Sequence, residues 1–294
     1  MVFQQPVRES TMKTLFITGG AGYLGSHLVK QSIQWDTHAS YLHTAPPVSN
    51  RVTYHRCDLS DKDQVLHLLT RLRPSAIIHT ACSSQTQKSL TSILPAARNL
   101  AEITASMGTH FIHVSTDMVF DGENSPYQEE SPPSPLSPYG KAKAQAETEV
   151  SGLNPRAVIV RPSLIYGIDP PDHQTQWLLE GLEKGEPVRL FTDEIRCPIW
   201  VETLSLALLE LVEIDYSGVL HIAGPQPLNR WDFGLAILGM LQRTPTPTVR
   251  PSTLAESGLT RPRDLTFDLG KAQILLKTPL LSVTEVHQRL NPPG

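Results

Sequence analysis

The chain has no long apolar run, no block of lysine and arginine, and only three cysteines, Cys57, Cys82 and Cys197. Each shortage excludes something. Without about eighteen consecutive apolar residues, no transmembrane helix is expected. Three scattered cysteines frame neither a disulfide-stapled fold nor a cysteine zinc site. The charge balance is close to even, −4 overall from 25 basic and 29 acidic residues. That argues against nucleic acid or an anionic membrane surface as the main partner. The opening "MVFQQPVREST" lacks the basic-then-apolar order of a secretory signal, so the cytoplasm is the expected compartment. His79, His110 and His113 lie on strand patterns at no metal-ligand spacing, and no metal is expected.

What is present is alternation. Short β-branched runs at Lys13–Thr18, Ala39–His43, Arg51–Arg56, Ser75–Thr80, His110–Thr116 and Arg156–Pro162 read as strands. Helical patterns separate several of them, at Asp61–Leu72, near Ala96–Met107 and from Tyr139 onward. Strands joined by helices predict an α/β fold, a Rossmann-type doubly wound parallel sheet covered on both faces. Beyond Tyr166 the pattern turns irregular, with helices near Gln176–Lys184, Thr203–Val212 and Trp231–Leu241 and a strand at Val219–Gly224. The expected organisation is a dinucleotide-binding domain over 1–165, rejoined by about 198–224. Residues 166–197 and 225–294 would form a smaller C-terminal substrate-binding region. The Pro/Ser-rich stretch Ser125–Pro138 is short enough to read as an ordered active-site loop.

Two motifs carry chemistry. In "FITGGAGYLGSHL", Gly19, Gly22 and Gly25 stand between the first strand and the first helix. Glycines there permit a tight turn and let a pyrophosphate approach the helix N-terminus, which predicts a dinucleotide site. The second strand ends in "YLHTA", with His43 where a carboxylate would favour NAD, so NADP(H) is expected over NAD(H). Asp58 in "CDLSD" is placed to accept from an adenine amino group, or to cap the next helix, a task Ser60 or Asp61 also suits.

The second motif is "SPYGKAKAQAE". Tyr139 and Lys143 are four apart and share a helix face. A phenol ionises near pH 10 and becomes a useful acid–base group at neutral pH only with a close cation. Bringing it there takes about 4 kcal/mol of differential stabilisation, which requires a partly desolvated site. The spacing alone says little, but "STD" (Ser115–Asp117) closes one strand and "RPSLIYG" follows another, at the strand-end edge where ligands bind. Thr116 would bond the substrate oxygen, Lys143 would supply the field, and Tyr139 would carry the proton.

These segments together resemble the extended short-chain dehydrogenase/reductase family, in its order: "TGGAGYLG", "DLSD", "IIHTA", "STDMVFDG", "YGKAK", "RPSLIYG", "HIAG". Within it, Ser115–Glu147 is similar to dTDP-4-dehydrorhamnose reductase and its sugar-nucleotide-binding relatives. The resemblance implies a reductase of a keto group on a nucleotide-linked sugar, usually a homodimer. It makes Thr116, Tyr139 and Lys143 the catalytic residues. Gly19, Gly22, Tyr23, Leu24 and Gly25 would hold the dinucleotide's phosphates, Asp58 and Leu59 its adenine, and Thr80, Ala81 and Cys82 its far side. Lys143 and the loop Pro162, Ser163, Leu164 and Ile165 would meet the nicotinamide end. Asp117, Met118 and Arg196 are candidate substrate contacts; Asp117 serves equally as a turn acid, and Arg196 equally as an interdomain salt bridge. Met118, Leu164 and Ile93 stand where relatives commonly carry tyrosine, tryptophan and asparagine, all on the substrate side. The same machinery also serves epimerases and dehydratases that recycle NAD, and the fold serves catalytically silent NADP-binding regulatory subunits.

Overall fold

The computed structural model describes residues 12–46, 50–81 and 87–292. Its elements run β1 (Thr14–Thr18), α1 (Tyr23–Gln31), β2 (Asp36–Tyr41), β3 (Val52–Arg56), α2 (Lys62–Leu72), β4 (Ala76–His79), α3 (Gln87–Met107), β5 (His110–Val114), α4 (Pro138–Leu153) and β6 (Val158–Pro162). There follow β7 (Ile165–Tyr166), α5 (His173–Lys184), β8 (Val188–Phe191), β9 (Ile195–Arg196), β10 (Ile199–Trp200), α6 (Val201–Leu211) and β11 (Gly218–Ile222). The chain closes with β12 (Leu228–Asn229), α7 (Arg230–Met240), β13 (Val249–Ser252), α8 (Leu254–Ser257), α9 (Gly270–Leu275) and α10 (Val283–Leu290).

Seven strands form one sheet in the order β11-β6-β5-β4-β1-β2-β3. Every pairing in it is parallel. Alternate residues of each strand feed two cores. Leu15, Ile17, Ile78, Ile112 and Val160 face α1 and α6, whereas Phe16, Ile77, Phe111 and Ile159 face α2, α3 and α4. Burial on both faces is why these strands read as unbroken apolar runs. A third core packs Tyr166, Leu178, Leu190, Phe233, Ile237 and Val286 from β7, α5, β8, α7 and α10. The α/β expectation is met, with β11 completing the sheet.

Helix starts follow their capping chemistry. The Asp61 side chain accepts from the amides of Asp63 and Gln64 to begin α2. Ser137 accepts from Gly140 N ahead of Pro138 to begin α4. Two boundaries differ from expectation. Helix α3 begins at Gln87 rather than near Ala96 and runs through Pro95. Strand β2 begins at Asp36 and ends at Tyr41, where its parallel pairings with β1 (from Thr14 opposite Asp36) and β3 (to Arg56 opposite Tyr41) start and stop. His43 therefore lies two residues past the strand, exposed. Strands β7–β10, β12 and β13 were not foreseen; two to four residues is too short for a period to show.

Candidate active site

A parallel sheet brings all its carboxyl ends to one edge, and there the loops after β1, β4, β5 and β6 meet. The first is the glycine turn. Gly19 takes φ +68°, and Gly22 N donates to its carbonyl at 2.8 Å. A Cβ at Gly25 would stand 2.1 Å from Gly19 O, so α1 can lie against the turn only with glycine there. Gly22 caps α1 without a side-chain bond, and the first turn carries no acid. The helix N-terminus thus offers amides and a positive dipole end, a fit for a pyrophosphate. Leu24 is buried in the core against the sheet. Tyr23 donates to Pro170 O at 3.3 Å. Burial, then the charges of Asp172 and Glu202, push its phenol above the usual range.

Thr18, which the sequence reading passed over, ties this turn to the end of β4. Its Oγ1 accepts from Thr80 N and Ala81 N at 3.2 Å each and meets His79 Nδ1 at 2.7 Å. Thr80 Oγ1 in turn donates to Thr18 O at 2.7 Å. The only signal was a threonine directly before the glycines. Asp58 Oδ1 accepts from Ser60 N and Oγ at 2.9 and 2.6 Å, and Leu59 O accepts from Asn99 Nδ2 at 3.0 Å. Asp61, not Asp58, caps α2. Cys82 lies outside the described residues.

Thr116 caps a short 3-10 turn over Asp117–Val119, its Oγ1 accepting from Met118 N at 3.2 Å. Helix α4 is pressed onto that turn: a Cβ at Gly140 would stand 2.1 Å from Met118 O. Tyr139, the residue before Gly140, is half-buried and packs against the core beneath α3 and α4. Lys143 is 1% exposed, and its Nζ donates to Val114 O at 2.6 Å and lies 3.5 Å from His113 Nε2. His113 is the register partner of His79 on the neighbouring strand. Burial, with Lys143 second, holds His79 down to about 3 and His113 well below its usual value. Two neutral imidazoles therefore underlie the lysine.

The substrate-facing candidates bond one another. Asp117, fully buried, accepts from Arg196 Nε (2.7 Å) and Nη2 (2.5 Å) and from Ser163 Oγ (2.6 Å). Arg196 Nη1 lies 3.5 Å from Met118 Sδ and 3.7 Å from Glu194, which also pairs with Arg261 at 3.2 Å. Of the loop after β6, Pro162 and Leu164 are buried, Leu164 in the C-terminal core, and Ile165 is half-buried against the sheet. Ser163 also accepts from Cys197 N at 3.1 Å. A cavity of about 370 Å³ lies elsewhere, between β3 and α2, lined by His55, Arg56, His67 and Arg71 among others. None of the candidate residues lines it, and it sits beside the outer strand rather than at the strand ends. Among the described residues no group of histidine, cysteine and carboxylate side chains could hold a metal, and no helix is long and apolar enough to cross a membrane.

A doubly wound parallel sheet with a glycine turn before its first helix is an architecture of the extended short-chain dehydrogenase/reductases, a class of NAD(P)-dependent oxidoreductase. Within that class the chain belongs to the family described as the RmlD substrate binding domain, whose model matches residues 12–289. It is 31% identical to a Haloferax volcanii protein named "Probable low-salt glycan biosynthesis reductase Agl14", over 88% of this chain and 90% of that one. It is 28% identical to methionine adenosyltransferase 2 subunit beta of Mus musculus, over 90% of this chain and 82% of that one. Among solved structures, dTDP-4-dehydrorhamnose reductase of Bacillus anthracis in complex with NADP superposes with a TM-score of 0.79 at 22% identity. That match covers 95% of this chain and 98% of that one, and speaks for the fold alone.

Proposed function

We propose that the chain reduces a keto group on a nucleotide-linked sugar, as dTDP-4-dehydrorhamnose reductase does, using NADP(H) in preference to NAD(H). The observation that carries it is the close docking of α4 on the Thr116 turn, at the edge that also holds the glycine turn. A bound nicotinamide supplies the hydride. Gly19, Gly22 and Gly25 and the α1 amides hold the pyrophosphate, with Asp58 on the adenine side. His43, with no carboxylate at the end of β2, admits a 2′-phosphate. Thr116 donates to the substrate oxygen and stabilises its developing charge. Tyr139 gives that oxygen its proton, and Lys143 favours the phenolate left behind. Asp117 and Arg196 act as a locked pair that shapes the substrate side.

The test is turnover: NADPH or NADH is mixed with a panel of keto-sugar nucleotides and loss of the reduced nicotinamide is followed. Stoichiometric consumption with NADPH preferred is the expected result. Product without net consumption would instead make the chain an epimerase or dehydratase, and no turnover across the panel would overturn the reductase reading. The likeness to methionine adenosyltransferase 2 subunit beta favours a second reading, a silent NADP-binding regulatory subunit. Recovery of a stoichiometric partner enzyme, with no turnover by the chain alone, would establish that one.

A further inference from the structure

The row that begins with Tyr139 and Lys143 continues to Glu147, and positions 139, 143 and 147 share one face of α4. Glu147 is buried at 5% exposure. Its Oε1 accepts from Ser115 Oγ at 2.5 Å and Arg161 Nε at 3.0 Å, and its Oε2 from Arg161 Nη2 at 2.7 Å. Arg161, on β6, is 3% exposed, and its Nη1 donates to Glu129 O at 3.2 Å. The guanidinium also stands 5.0 Å from the ring of Phe120. His221 on β11, held down to about 3 by burial and then by Arg161, meets Nη1 at 3.4 Å and donates its amide to Glu129 Oε1 at 3.2 Å. Lys271 lies 3.6 Å from Glu129, so each buried charge faces an opposite one.

This hub touches the elements that carry Thr116, Tyr139 and Lys143 and the loop after β6. Ser115 directly precedes Thr116. Arg161 directly precedes the Pro162–Ile165 loop. Glu147 is on the helix of Tyr139 and Lys143, and Glu129 is in the Pro/Ser-rich loop. A buried ion pair is poor evidence of a stability role, because desolvation offsets its attraction and an apolar pair of similar volume is often no less stable. What apolar residues cannot reproduce is direction. A two-pronged guanidinium–carboxylate contact fixes both the rotation of α4 and its slide along the helix axis. One residue of slide is about 1.5 Å, and a misplacement of about 1 Å in a reacting group can cost about 10²-fold in rate.

We propose that Glu147 and Arg161 are positioning residues that set Tyr139 and Lys143 against Thr116 and the loop after β6. The inference rests on the reductase reading above. Its test compares the full-length wild type with Arg161→Lys, Ser115→Ala and the charge-free double variant Glu147→Leu/Arg161→Met. The double variant is expected to keep its urea midpoint and dinucleotide affinity while kcat falls about 10²-fold with little change in KM. Lysine restores charge but not the fork, so Arg161→Lys should also stay slow, whereas a purely structural cation would be rescued by it. Ser115→Ala leaves the pair intact, removes only its tie to β5, and is expected to cost about tenfold in kcat; it keeps the test open if the double variant does not fold. A kcat within threefold of wild type in Ser115→Ala and in each folded hub variant would overturn the proposal. Crystal structures supply a readout independent of turnover: Tyr139 Oη should move by about 1 Å relative to Thr116 Oγ1 when the hub is altered. Coincident positions would overturn the proposal even if the wild type proved inactive, an outcome that by itself rejects only the reductase reading.

Discussion

At the glycine turn, bonds run between backbone groups or to neutral hydroxyls: Gly22 N to Gly19 O, and Thr80 and Ala81 N to Thr18 Oγ1. None of these bonded groups carries a charge. At the seam beside Met118 the reverse holds, with Asp117, Arg196 and Glu194 all buried and the first two bonded across 79 residues of chain. The glycine turn, the proposed nucleotide side, gains its shape from close backbone approach, which only certain residues permit. The seam, the proposed substrate side, gains its shape from paired charges, which depend on partners arriving from elsewhere. The first should therefore fail through binding and the second through stability.

The seam gives the largest expected effect. Arg196→Leu leaves Asp117 buried with only Ser163 and Thr116 near its oxygens, and should cost about 3–5 kcal/mol in urea unfolding. Removing both charges with Asp117→Asn and Arg196→Met should recover most of it. A loss below about 1 kcal/mol for the single change would erase the contrast between the two regions.

Acid probes the turn and the Arg161 hub. His79 beside the turn and His221 in the Arg161 hub are each held near 3 in the folded chain, against about 6.5 unfolded. Below about pH 6.5 the unfolded chain takes up protons that the folded chain refuses, so stability falls as pH drops. The expected loss is about 1.4 kcal/mol per pH unit for each histidine, continuing down to about pH 3. Melting scans across that range should show it, with His221→Phe removing about half of the slope from this pair.

On the nucleotide side, Gly25→Ala drives a Cβ to within 2.1 Å of Gly19 O. Dinucleotide affinity should fall at least about tenfold, about 1.4 kcal/mol, as read by titration of cofactor fluorescence. Asp58→Ala is the mildest change, with an expected loss of about threefold in the same titration. Unaltered affinity would place the adenine elsewhere.

The two regions also differed in how legible they were. The turn and the Tyr139–Lys143 spacing lie in contiguous stretches, so local rules for glycine and helical period were enough to mark them, whereas the end of β2 was placed two residues late. Arg196 was visible as an arginine, but nothing within "DEIRCP" tells that its partner is Asp117. The same applies to Glu147 and Arg161, which look like a surface helix acid and an odd arginine in an apolar strand until the fold joins them. Helix α3 outran its expected start because propensity near Pro95 argued against a helix that packing against α4 sustains. The small strands pairing β8 with β13 and β9 with β12 are set by tertiary contact, which no local period announces.

The central claim is that Tyr139 moves a proton, and one measurement addresses it directly. Wild type and Tyr139→Phe are compared for turnover of the same keto-sugar nucleotide with saturating NADPH, alongside their dinucleotide affinities. In the variant kcat should fall about 10²–10⁴-fold while affinity stays within about twofold. Equal rates in the two proteins would contradict it.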